Sequence, residues 1–308
     1  MNIKWLLLFL ISGYIVAQND SYNETEISIT PLVDGTLLIP STETAPPLAI
    51  IIAGSGPTDR NGNQNMMKSN AYKHLAEGLY KQGVATFRYD KRIVAQLKNR
   101  TIQEEGIRFE DFVADAEKVL DYFQDDTRFS KIHVIGHSQG SLVGMLAAKD
   151  RADGFISLAG AGQEIDDVII DQLQMQSPGL VDNARTAFDD LRVNGVAQNY
   201  SPYLASIFRP QIQPFLLSWM QYDPAAILSE LDMPILIVNG TKDLQVLESE
   251  AALLKESVSE ASLVLIENMN HVLKEITGDR LENSKSYNEP QRPVMPELIT
   301  LLSEFIKK

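Results

Sequence analysis

Gly136-His137-Ser138-Gln139-Gly140 sets a hydroxyl between two glycines, each two residues away. The five residues lie between an apolar run at 132–136 and a helical pattern at 139–149. A serine hydroxyl is a weak nucleophile until a neighbouring base takes its proton. On a tight strand-to-helix turn its Oγ stands clear of the sheet edge, and Gly136 and Gly140 leave room where strand and helix come too close for Cβ atoms. The chemistry this spacing serves is attack on a carbonyl carbon.

Such a serine needs a base, the base needs an orienting acid, and the oxyanion needs two N–H donors. Of the four histidines, His74 falls in a helical pattern, His133 in the strand before the serine, and His137 in the turn itself, its ring directed toward the interior or the turn. His271 follows the last apolar run, in "ENMNHVL", where loops at the sheet end can reach Ser138. It is the expected base. Asp243 ends "PILIVNGTKD", 28 residues before His271, a length that fits one helix and one strand. It is the preferred acid, with Asp223, Asp153 and Glu267 as alternatives. The Gln139 N–H, at the start of a helix, is one expected oxyanion donor. The second comes from "GSGPTDRNGN", where Gly54 and Gly56 leave the backbone unobstructed and the Ser55 N–H is preferred. No G-K-[ST] follows, and the glycines do not open a dinucleotide fingerprint, so a phosphate loop does not fit.

These residues require a scaffold that brings distant loops to one edge. "TEISIT" and "GTLLIP" alternate polar and apolar residues, as in a hairpin. "PLAIIIAG", "VATFRYD", the run at 132–136, "GFISLAG", "PILIVNG" and "SLVLIEN" read as strands, most of them continuously apolar. Helical patterns separate them, "FEDFVADAEKVLDYFQ" carrying its apolar residues on one face. Strand–helix alternation predicts an α/β fold with a mainly parallel sheet covered on both faces. Residues 162–228 break the rhythm with amphipathic segments and no strand, which predicts a helical cap. Its Phe208, Phe215, Leu216, Trp219 and Met220 either line an acyl pocket or pack the cap helices together; Phe215, Trp219 and Met220 are the pocket candidates. "MPELITLLSEFIKK" predicts a last amphipathic helix.

Residues 1–17 have one lysine, an apolar run and a small residue at Ala17, the layout of a signal peptide. The run is too short for a stable membrane span, so an exported protein, periplasmic or extracellular, is expected. There is no cysteine, which excludes disulfides and thiolate metal ligands. With 27 basic and 41 acidic side chains the net charge is −14, and such a field disfavours nucleic acid as a partner. The sequence does not specify an oligomeric state.

"GSGPTDRNGN", "FRYDKR", "GHSQGS" and the pair "NGTKD" and "NMNH" together resemble the α/β-hydrolases, and among them the exported bacterial esterases grouped with serine aminopeptidase-like hydrolases. The resemblance runs from about residue 25 to the C-terminus. It implies a mostly parallel eight-stranded sheet with helices on both faces, a core of 25–161 and 229–308, and the cap at 162–228. It implies Ser138, Asp243 and His271 as catalytic residues, Ser55 in the oxyanion loop, and a small-molecule ester substrate, often a short acyl or acetyl ester, with no metal or organic cofactor required. The family commonly continues "YDKR" with glycine. Here Ile93 stands instead, so "IVAQLKN" is expected to shape the pocket wall differently. Asp59, Arg60 and the Asp90-Lys91-Arg92 group are expected to brace two loops by ion pairs. Some relatives cleave peptides from the N-terminus, which calls for a cap carboxylate to hold the substrate amine; Glu164, Asp166, Asp167 and Asp171 are available. A non-catalytic binding module on the same scaffold is the more distant alternative.

Overall fold

Leu48–Ile52, Ile132–His137 and Ile235–Gly240 are buried at every position. A strand shielded on both faces belongs inside a sheet that is itself covered on both faces. The computed structural model, which describes Tyr22 and residues 24–308, has that arrangement. The signal-peptide reading of residues 1–17 lies outside the described residues. Eight strands, β1 (Glu24–Thr30), β2 (Val33–Leu38), β3 (Leu48–Ile52), β4 (Ala85–Tyr89), β5 (Ile132–His137), β6 (Gly154–Leu158), β7 (Ile235–Gly240) and β8 (Ser262–Ile266), form one sheet in the order β1-β2-β4-β3-β5-β6-β7-β8. β1 pairs antiparallel with β2, and β2 with β4; every other neighbouring pair is parallel.

Alternate residues of a strand face opposite sides. In β3, Leu48, Ile50 and Ile52 enter one apolar cluster and Ala49 and Ile51 the other. The first cluster packs α3 (Phe109–Phe123), α4 (Gln139–Ala148) and α10 (Glu248–Ser257) against the sheet. The second takes α1 (Ala71–Lys81) and α12 (Pro296–Ile306), the latter entered at Pro296, whose missing N–H costs nothing at a helix start. A short α2 (Arg92–Asn99) follows β4.

Between β6 and β7 the chain forms helices without a strand: α5 (Ile165–Gln176), α6 (Val181–Asn194), α7 (Ala205–Phe208), α8 (Gln213–Trp219) and α9 (Pro224–Leu228). They have their own apolar centre, where Phe188 meets Phe208 edge-on at 4.7 Å between ring centroids. The buried Gln213 amide donates to Ala197 O and Phe208 O and accepts from Ala197 N. This cap is fastened to the core by an Arg209–Glu104 ion pair, by the Phe109 N–H donating to Ser218 Oγ at 2.8 Å, and by Trp219 stacked on Phe109. Among the described residues no helix is long and apolar enough to cross a membrane.

Candidate active site

β5 runs into Ser138, which takes φ 54° and ψ −123° at the entrance to α4. That backbone is strained for an L-residue, at a cost of about 1–3 kcal/mol, and such strain persists only where the surroundings enforce it. The enforcement comes from backbone. A Cβ on Gly136 would stand 2.3 Å from Gly140 O, and one on Gly140 would stand 2.3 Å from Ile52 O. Neither obstacle is a side chain that can move aside, so both positions demand glycine.

Asp243 lies in the turn after β7. Asn239 Nδ2 donates to Val246 O and Leu247 O, closing that turn. Asp243 Oδ1 accepts the Gln245 and Val246 N–H groups at 2.8 and 3.0 Å, and Oδ2 faces His271 Nδ1 at 2.7 Å. A carboxylate only accepts, so the proton of neutral His271 sits on Nδ1 and the lone pair on Nε2. The His271 loop is held from below by α11 (Arg280–Ser286) and the residues after it. Asn270 Nδ2 donates to Asn283 Oδ1 and Ser286 Oγ, and Lys274 Nζ to Ser286 O and Glu289 O. The other acids are placed elsewhere: Asp223 caps α9, Asp153 accepts from Ile132 N at the opposite end of β5, and Glu267 is exposed.

Ser138 and His271 line one cavity of about 470 Å³, together with Gly54, Ser55, Gly56 and Gln139. Among the described residues no hydrogen bond takes the Ser55 N–H, and the Gln139 N–H, first in α4, has no carbonyl a turn earlier in its helix. The wall carries no Asp, Glu, Lys or Arg side chain. Besides histidine, its polar side chains are amides and hydroxyls, those of Gln64, Gln163, Gln172, Gln245 and Tyr287 among them. Of the three pocket candidates Trp219 lines the cavity. Phe215 and Met220 do not, because Phe215 stands edge-on to Phe112 at 5.8 Å and Met220 is buried in the cap interior with Phe208 and Leu216. No residue of 93–99 reaches the wall, contrary to the role expected for "IVAQLKN".

Links through side chains hold the loops around this cavity in place. Gly54 N donates to Tyr72 Oη at 3.0 Å, Tyr72 Oη lies 2.8 Å from His137 Nδ1, and His137 Nε2 lies 2.8 Å from His271 O. A carbonyl cannot donate, so His137 carries its proton on Nε2 and Tyr72 donates to Nδ1. Burial, and then the neighbouring His271, push His137 down to about 3, so it stays neutral and the direction of the chain holds. No local sequence signal marks the Tyr72 hydroxyl for this task. The expected ion pairs exist in part. Arg60 pairs with Asp90 at 2.7 Å and joins the two loops. Asp59 instead accepts the Asn61 and Asn63 N–H groups of its own loop, and Arg92 turns to Asp111 and Asp115 of α3. Lys91 pairs with no carboxylate among the described residues; it donates to Gly54 O at 2.8 Å and Gln139 Oε1 at 2.7 Å.

Residues 66–206 match the family model described as serine aminopeptidase, S33, a stretch short of half the chain that stops before Asp243 and His271. Esterase EstD of Thermotoga maritima is 26% identical over 276 residues, which cover 84% of this chain and 62% of that protein; the chain thus spans under two thirds of the relative's length. Est1E from Butyrivibrio proteoclasticus superposes with a TM-score of 0.57 at 18% identity, over 92% of this chain and 99% of the other. Pyrococcus horikoshii acylaminoacyl peptidase gives 0.54 at 12% identity, over 94% and 42%. The fold is that of the α/β-hydrolases, and it carries esterases and peptidases alike.

Proposed function

We propose that this chain, a member of the α/β-hydrolase superfamily, hydrolyses carboxylic esters through Ser138, His271 and Asp243. The observation that carries this reading is the Asp243–His271 contact at 2.7 Å beside the cavity that the strained Ser138 also lines. In the proposed reaction His271 Nε2 takes the Ser138 proton as Oγ attacks the ester carbonyl. The Ser55 and Gln139 N–H groups stabilise the oxyanion, and His271 returns the proton to the departing alcohol. Water then cleaves the acyl-enzyme by the same steps in reverse. Asp243 remains ionised and holds the imidazole tautomer.

The uncharged wall favours a neutral ester over a peptide bearing a free amine. The four cap carboxylates that an aminopeptidase would need are already engaged. Glu164 and Asp166 pair with Arg192, Asp166 and Asp167 with Arg185, and Asp171 accepts from Gln163 Nε2. We infer a short acyl group, acetyl among the candidates, from the family resemblance and the bulk of Trp219 at the wall. Export rests on the sequence of residues 1–17 alone. Incubation with a fluorophosphonate probe should label Ser138, and p-nitrophenyl acetate should turn over far faster than an aminoacyl p-nitroanilide. An unlabelled protein would point to a binding module, and a preferred anilide to a peptidase.

Trp219 stacks on Phe109 at 5.6 Å and tilts against Phe215, so its ring is a fixed part of the wall. Trp219→Ala should raise butyryl relative to acetyl ester turnover by about tenfold, the scale on which a few methylenes are discriminated. The ratio is independent of how much protein folds. Equal changes for both esters would remove Trp219 from acyl selection.

A further inference from the structure

We propose that Lys91 is a positioning residue that aims the Ser55 N–H at the reacting carbonyl by fixing the Gly54–Ser55 peptide plane. The proposal rests on the hydrolase reading above. A peptide unit is planar and trans, so the carbonyl of Gly54 and the N–H of Ser55 point in opposite directions in one rigid plate; no cis peptide bond occurs among the described residues. Whatever holds Gly54 O therefore sets the direction of the Ser55 N–H. Lys91 Nζ holds it, at 2.8 Å.

The same amine reaches Gln139 Oε1 at 2.7 Å, so one side chain joins the residues that supply both proposed oxyanion donors. Gly54 and Ser55 leave β3, Gln139 opens α4, and Lys91 follows β4, so three separate segments meet at one nitrogen. Its third side lies over the Phe112 ring, 4.4 Å from the centroid. The Lys91 backbone adds to the grip, its N–H donating to Thr58 O further along the Ser55 loop. The other peptide of Gly54 is held independently by Tyr72, which accepts the Gly54 N–H. Glycine at 54 has no side chain to restrict rotation, so the Lys91 hydrogen bond restrains the Gly54–Ser55 plate and the Tyr72 hydrogen bond restrains the peptide before it.

Burying a lysine beside neutral partners is unfavourable, and burial lowers Lys91 to about 7. An apolar residue would fill the space at less cost, which points to a role outside stability. The amine keeps at least two N–H groups in either protonation state, so both hydrogen bonds survive neutralisation. A donor on Gly54 O also polarises the shared amide and strengthens the Ser55 N–H as a donor.

An oxyanion donor acts on the transition state more than on bound substrate. In Lys91→Met, kcat for p-nitrophenyl acetate should fall by about 10- to 100-fold, somewhat less than removal of a donor outright, with KM unchanged. A trifluoromethyl ketone separates aim from collapse. Ser138 Oγ adds to its carbonyl carbon, the proton passes to His271, and the carbonyl oxygen becomes the anion. Its inhibition constant should rise in step with the loss in kcat, while the matching methyl ketone, bound without that addition, should not change. Lys91→Gln, which keeps an amide donor, should fall between wild type and Met. A kcat equal to wild type in Lys91→Met, a parallel weakening of both ketones, or failure of both variants to fold would each overturn the role. Failure of the wild-type protein to react with fluorophosphonate would instead overturn the hydrolase reading beneath it.

Discussion

Ser138→Ala is expected to lower ester turnover by about 10⁴- to 10⁶-fold while the protein stays folded, since in the proposed reaction it removes the nucleophile and with it the whole covalent route. Stability should hardly move, within about 0.5 kcal/mol, because no hydrogen bond joins Ser138 Oγ to another described residue and alanine keeps the same Cβ. Ser138→Gly should be just as inactive and more stable than either. At φ 54° and ψ −123° glycine relieves strain that serine and alanine both bear, on the order of 1 kcal/mol or more. Thermal melting beside an ester assay checks both points. Residual activity within tenfold of wild type (about 1.4 kcal/mol in the barrier) would show that the hydroxyl is not the nucleophile.

The reason for that strain is legible in the sequence itself. Gly136 and Gly140 flank the serine at the spacing a strand-to-helix turn needs, and their missing Cβ atoms are the ones the backbone leaves no room for. Much of the fold was legible on similar grounds. Apolar runs such as 48–52 and 235–240 mark strands covered on two faces, and the strandless stretch 162–228 marks the cap. Residues whose role depends on a partner far along the chain were not legible. Lys91 sits in a run of charges and reads as an ion-pair residue, yet its acceptors are neutral groups 37 and 48 residues away. Gln64, Gln163, Gln172 and Gln245 look like ordinary surface residues in sequence; the fold gathers them, beside Gln139, at one wall without acidic or basic side chains other than histidine. Phe215 and Met220 have the composition of a pocket, but helix orientation within the cap turns them to other neighbours. Periodicity reports which face of an element is apolar, not what that face meets.

Asp243→Asn should be the more revealing substitution at the acid, because two backbone N–H groups dictate how the amide must turn. Gln245 and Val246 both donate to Asp243 Oδ1. In the variant the amide oxygen will take that place, since an NH₂ group there would face two donors. Nδ2 is then left against His271 Nδ1 and must donate to it. The imidazole is forced into the tautomer with its proton on Nε2, the atom that receives the Ser138 proton in the proposed reaction. The expected loss in kcat near neutral pH is about 10⁴-fold, with the fold intact. Asp243→Ala removes the acid without imposing a tautomer, so it should retain more activity than Asn. Its stability should be lower than that of Asn, because the two N–H groups lose their acceptor, at about 1–3 kcal/mol for each that stays buried and unsatisfied. The two variants should therefore rank in opposite orders, alanine ahead in turnover and asparagine ahead in melting temperature. A simple loss of packing or charge at this position predicts one order for both. If Asn retains wild-type turnover, Asp243 does not orient the base, and the acid must be sought elsewhere.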